Sequence, residues 1–107
     1  MKMESPKMLS KYKNEYQKRI KQYLDGEIDE NTLYYWNPQW VLDNLGKDRL
    51  LDAAWHVVHF LNETNLDYKT TAEELVYIYD CLRGEKEFSD EALQAARDEG
   101  IERVYSK

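Results

Sequence analysis

The sequence predicts an all-α fold: a compact single-domain helical bundle of four main helices plus one or two short ones, packed around a central helix at residues 48–62. Three observations carry this. Apolar residues recur at i, i+3 and i+4 along most of the chain, and no stretch shows the period-two alternation of a strand. Three of the four glycines, Gly26, Gly46 and Gly84, and both prolines fall near the ends of those periodic segments, where caps and helix starts are wanted. Finally, Asp48 to Glu63 is apolar over about 220° of a helical wheel, roughly twice the arc of a surface helix. Leu50, Leu51, Ala53, Ala54, Trp55, Val57, Val58, Phe60 and Leu61 therefore need neighbours on more than one side.

Ser5-Pro6 reads as an N-cap followed by proline at the first helical position. Leu9, Tyr12, Tyr16, Ile20, Tyr23 and Leu24 then place an amphipathic helix over about 6–24, ended by Gly26. Asp29 caps a short helical turn through Leu33, Tyr34 and Trp36. Asn37-Pro38 repeats the cap-and-proline signature and opens another short helix, Gln39 to Leu45, ended by Gly46. The bend that Pro38 imposes at Asn37 is expected to gather Tyr34, Tyr35, Trp36 and Trp40 into one aromatic knot. Asp48 caps the central helix. Thr71-Ala72-Glu73-Glu74 matches a capping box, and Ala72, Leu75, Val76, Ile78, Tyr79 and Leu82 form the expected buried face of the following helix, with Tyr77 pointing away. Ser89-Asp90-Glu91 starts the last helix, whose inner face is Ala92, Leu93, Ala96, Gly100 and Val104. Gly100 costs about 1 kcal/mol against alanine inside a helix and is expected to mark a break. There is no internal repeat and no linker, so residues 1–107 read as a single helical domain.

The net charge of −6 is unevenly distributed. Residues 1–25 hold seven Lys or Arg against three acids, a balance of +4, and the remainder holds eight basic against eighteen acidic residues, a balance of −10. An acidic body disfavours nucleic acid, because phosphate contacts need a continuous basic footprint. The longest apolar runs are too short to span a membrane. The N-terminal stretch lacks an apolar signal core, and the one cysteine, Cys81, can form no internal disulfide. Both features favour a reducing cytoplasm.

Candidate chemistry is sparse. Asp52, His56, His59 and Glu63 follow at i, i+4, i+7 and i+11 and are expected along one line of the central helix. Two histidines with flanking carboxylates have the ligand types for zinc or another divalent ion. Yet helical zinc motifs place His at i and i+4 with a glutamate between, whereas two valines separate His56 from His59. The metal reading therefore ranks third, and no cofactor is assigned. Cys81 follows Asp80, which supplies no electropositive setting to activate a thiol. A helix-turn-helix around Gly46 fails because its second helix is apolar apart from Arg49. No phosphate loop or serine nucleophile motif is present, and the chain is expected not to be an enzyme.

What remains is contact surface. Asp80, Glu85, Glu87, Asp90, Glu91, Asp98, Glu99 and Glu102 form a dense negative region, and the expected partner-binding residues are Glu85, Glu87, Asp90, Glu91, Asp98 and Glu99 with Tyr34, Tyr35 and Trp36. An acidic face accelerates encounter with a basic groove and competes with phosphate there. In size, charge and composition the chain resembles the small acidic inhibitors that bacteria and phages direct against basic enzymes, such as nuclease immunity, antirestriction and anti-CRISPR proteins. The resemblance implies a binding protein that occludes a protein partner with a basic surface. The runner-up is a small regulatory or structural domain that self-associates as a homo-oligomer through tyrosine and tryptophan surface.

Overall fold

Residues 4–106 are described by the computed structural model. Helix α1 spans Glu4–Leu24, α2 Glu30–Trp36, α3 Gln39–Asp43, α4 Arg49–His59, α5 Ala72–Leu82 and α6 Asp90–Tyr105. Among the described residues there is no strand, and no helix is long and apolar enough to cross a membrane.

Most boundaries are set by side chains that satisfy the orphan amides of a first turn, each worth about 1 kcal/mol. Asp29 Oδ1 accepts from the Thr32 amide at 2.8 Å, Asp48 Oδ1 from Leu51 at 3.0 Å and Ser89 Oγ from Ala92 at 3.1 Å. The capping box of α5 is complete: Thr71 Oγ1 accepts from the Glu74 amide at 3.1 Å, and Glu74 Oε1 accepts from the Thr71 amide at 2.8 Å. Gly26, at φ +79°, closes α1 in the left-handed region that side chains avoid.

Four boundaries differ from the sequence reading, one being the end of α3, which stops at Asp43 rather than Leu45. Helix α1 already includes Ser5, so Ser5 is not its cap, and the capping position lies outside the described residues. Pro38, not Asn37, takes the N-cap position of α3. The Asn37 amide is recruited elsewhere: Oδ1 accepts from the buried Tyr16 hydroxyl at 2.5 Å, and Nδ2 donates to the Trp55 carbonyl at 3.0 Å, tying α1 to α4. The central helix ends at His59 rather than residue 62. The returning chain takes its next carbonyls, with the Thr70 amide donating to Phe60 O at 3.0 Å and the Lys69 ammonium to Leu61 O.

Helix α4 packs against α1, α2, α3 and α5, while α5 packs against α1, α4 and α6. The core is drawn from Tyr16, Ile20, Leu33, Val41, Leu51, Ala54, Val57, Val58, Leu61, Leu75, Tyr77, Ile78 and Cys81. Val58 is fully enclosed and Trp55 half-buried. The buried face of α5 is rotated from the expected one: Tyr77 is buried, whereas Ala72 and Val76 are exposed. The cause is tertiary, since the docking of α6 covers the Tyr77 side of α5 and leaves the Val76 edge open.

Tyr16 supplies a pH test. Burial first, and the neighbouring Tyr12 phenol second, push its hydroxyl well above the usual tyrosine value. The unfolded chain therefore releases this proton near pH 10 while the folded chain retains it, so stability is intact below pH 10 and falls above it. Tyr23 and Tyr77 shift in the same direction, burial being the main cause in each. For Tyr77 the hydrogen bond it accepts from the Ser89 amide opposes that rise without reversing it. Denaturant titrations between pH 8 and 11 should show a loss approaching about 1.4 kcal/mol per pH unit for Tyr16 alone, and Tyr16→Phe should flatten that decline. An unchanged profile in the variant would place the titration elsewhere.

Candidate functional site

The last helix is fastened to α5 by three devices, and together they decide which side chains face outward. At its start, the buried Tyr77 hydroxyl donates to the Glu87 carbonyl at 2.9 Å and accepts from the Ser89 amide at 3.0 Å. At mid-length, Arg97 Nη1 donates to Glu74 Oε1 at 2.9 Å and to the Lys69 carbonyl at 3.1 Å, while Nη2 donates to the Asp67 carbonyl. Further along, Gly100 is buried against Thr71: a Cβ there would fall 2.7 Å from both Thr71 Cγ2 and Oγ1. Glycine is needed at this point because the two helices approach too closely for any side chain. The helix runs unbroken through it to Tyr105, which corrects the expected break, and Val104 is exposed rather than on the inner face.

With α6 held this way, Glu85, Glu87, Glu91, Asp98, Glu99 and Glu102 are all exposed. Among the described residues none of the six takes part in an ion pair. Asp98 accepts a hydrogen bond from Gln94 Nε2 at 2.9 Å. Asp90 is different, because its carboxylate is paired with Arg49 at the start of α4. Glu73 is also engaged, by Arg103 Nε at 2.6 Å and Nη2 at 3.1 Å, and these bonds hold its carboxyl below the usual range. Beside the free carboxylates, α5 and α6 enclose an open trough of about 530 Å³ floored by Ala72, Val76, Ala92, Ala95 and Ala96.

The aromatic half of the expected surface sits on another element. Helix α2 packs against α1 and α4, and the four rings do not form one knot. Trp36 meets Tyr16 edge-on at 4.8 Å and carries the Arg19 guanidinium 5.0 Å from its ring. Trp40 stacks on Tyr12 at 5.2 Å. Tyr34 touches Tyr35 and His59, and only Tyr35 is largely open, at 80 % exposure. Trp36 and Trp40 found their partners on α1 rather than on their sequence neighbours.

The histidine stripe is likewise dispersed. Asp52 Oδ2 accepts from the Gly46 amide at 2.9 Å, and His56 Nδ1 lies 2.8 Å from the Asp52 carbonyl. Since a carbonyl only accepts, Nδ1 carries a proton. His59 stacks on Trp55 at 4.7 Å, and Glu63 accepts from the Asn65 amide at 3.1 Å. No group of three or more His, Cys, Asp or Glu among the described residues is placed to hold a metal ion.

A cleft of about 490 Å³ between α4, α6 and the 60–70 turn is lined by His56, Arg49, Asp52, Asp67 and Tyr68 over a floor of Ala53, Val57, Phe60 and Leu93. Its one threonine is occupied, Thr70 Oγ1 donating to Val57 O at 2.6 Å. Cys81 is buried, and burial pushes its thiol up, away from the thiolate form that attacks. Sequence reasoning placed Gly100 on the inner face but missed Arg97 and Tyr77 as parts that set this surface. The only local hint was the run of small residues at Ala92, Ala95, Ala96 and Gly100. No family model, no curated protein and no solved structure matches this chain.

Proposed function

We propose that this chain is a non-enzymatic binding protein that docks the acidic face of α6 and its preceding connector on a basic surface of a protein partner and occludes it. A nuclease or another nucleic-acid-handling enzyme is the class of partner that carries such a surface. The observation that supports this reading is the set of six exposed carboxylates, Glu85, Glu87, Glu91, Asp98, Glu99 and Glu102, none of which is ion-paired among the described residues. Unpaired charge of one sign raises the encounter rate with an opposite surface and repels nucleic acid.

The test is capture of basic proteins from a native lysate by the wild type and by a Glu87→Lys/Glu91→Lys/Asp98→Lys/Glu102→Lys variant. A partner held by the wild type should be lost from the variant. It should also be released as salt shortens the screening length from about 10 Å at 0.1 M to about 3 Å at 1 M. Its nucleic-acid binding should fall when the chain is added. Equal retention by both proteins would sink the reading.

A second reading, self-association, is favoured by a different surface. Exposed Leu24, Leu66, Val104 and Tyr105 border an apolar cleft of about 260 Å³ between the ends of α1 and α6. Contiguous apolar surface of this kind marks contact sites.

A further inference from the structure

The acidic face has a shape as well as a sign, and the shape selects what can lie on it. The trough beside it is floored by methyl-sized side chains, Ala72, Ala92, Ala95 and Ala96, together with Val76. Val76 keeps 42 % of its surface open. Helix axes pack about 8–10 Å apart, and a ridge of larger side chains on one helix fills a groove of small ones on its neighbours. An incoming helix with apolar anchors at i, i+3, i+4 and i+7 has the ridge that this groove lacks.

The rim adds the charge. Glu91, Asp98 and Glu102 follow at i, i+7 and i+11 on α6 and so project along one line, on the same side as Ala95. Glu99 stands at the trough edge. Of the cations nearby, Arg103 is paired with Glu73, while Lys86, which also lines the trough, lies 3.5 Å from an Asp80 carboxylate that holds Arg83 as well. Lys86 thus offsets part of the charge, and the rim along Glu91, Asp98, Glu99 and Glu102, none of them ion-paired among the described residues, is negative.

We propose that the trough between α5 and α6 seats a basic amphipathic α-helix of a protein partner, its apolar ridge on Val76 and the alanines and its lysines or arginines facing Glu91, Asp98, Glu99 and Glu102. This rests on the acidic-face reading above and narrows it from a basic surface to a basic helix. A second copy of the chain does not supply that helix. Its basic helix is α1, whose Leu9, Tyr12, Tyr16, Ile20 and Tyr23 are packed in its own core, leaving lysines without anchors.

The probe is a labelled Leu/Lys peptide of about 18 residues, long enough to span α6 as a helix, with leucines at i, i+3, i+4 and i+7. Its control has the same composition shuffled so that no apolar face forms. Fluorescence anisotropy with the full chain should show the amphipathic peptide binding at least about tenfold tighter than the shuffled one. Ala95→Trp, which fills the trough from an exposed position, should weaken it about tenfold or more with thermal unfolding unchanged. Glu91→Lys/Asp98→Lys/Glu102→Lys should abolish it. Equal binding of the two peptides, or unimpaired binding to Ala95→Trp, overturns the helix while the acidic-face reading survives through the charge reversal. Failure of both peptides to bind at low salt overturns both. A concentration-dependent mass of the chain alone that Ala95→Trp removes assigns the trough to a second copy and overturns the proposal as well.

Discussion

Replacing Arg97 with methionine is expected to cost about 3 kcal/mol of folding stability. The guanidinium is largely enclosed, with 20 % of its side chain exposed, and Glu74 retains only 9 %. Removing one member of a buried pair strands the other charge and costs about 3–5 kcal/mol when burial is complete. The residual exposure here lowers that range, while the Lys69 and Asp67 carbonyls, which also lose a donor, raise it. Denaturant unfolding measures the loss. Glu74→Gln added to Arg97→Met should recover part of it, because the stranded charge is gone and the amide oxygen can still accept from the Thr71 amide. A single-variant loss under about 1 kcal/mol would show that Arg97 is not what holds the 67–70 segment to α6.

Gly100→Ala is expected to destabilise by about 1–3 kcal/mol, the cost of overpacking a tight contact. Helix propensity alone gives the opposite sign, a gain of about 1 kcal/mol, so the measurement separates the two effects. The added methyl would meet the stem of Thr71 rather than the tip of a flexible side chain, and Thr71 is fixed because its hydroxyl caps α5. The two helices must therefore separate, weakening the neighbouring Arg97 contact. At several degrees per kcal/mol for a domain of this size, a lower Tm is the readout, and an equal or higher one would mean that the approach of α5 and α6 is not tight.

The helices were legible because their signals are local. Asp29, Asp48, Thr71 and Ser89 each cap within three residues of their own position, so a window of four residues contains the whole interaction. The choice of buried face was not local. Tyr77 is covered because α6 arrives from a later part of the chain, and its hydroxyl bonds lie ten and twelve residues away. Asn37 has the sequence of a cap, yet a phenol 21 residues earlier takes its side chain. Gly100 was rightly placed on the inner face, but the break expected there came from propensity, which describes a glycine in an open helix and contains nothing about Thr71. The acidic carboxylates were visible as composition, but the groove beside them exists only once two helices are docked. The histidine stripe followed from ideal helical geometry, which contains nothing about the separate partners its members take, the Gly46 amide for Asp52 and the Trp55 ring for His59.

The grip of Tyr77 falls on main-chain atoms, the carbonyl of Glu87 and the amide of Ser89. A connector pinned by its peptide groups, with Phe88 against the core and Ser89 capping α6, leaves only the identity of Glu85 and Glu87 unconstrained by folding. The acids of that loop are thus free to drift or be rewritten to suit a different counterpart, with the scaffold indifferent to the change.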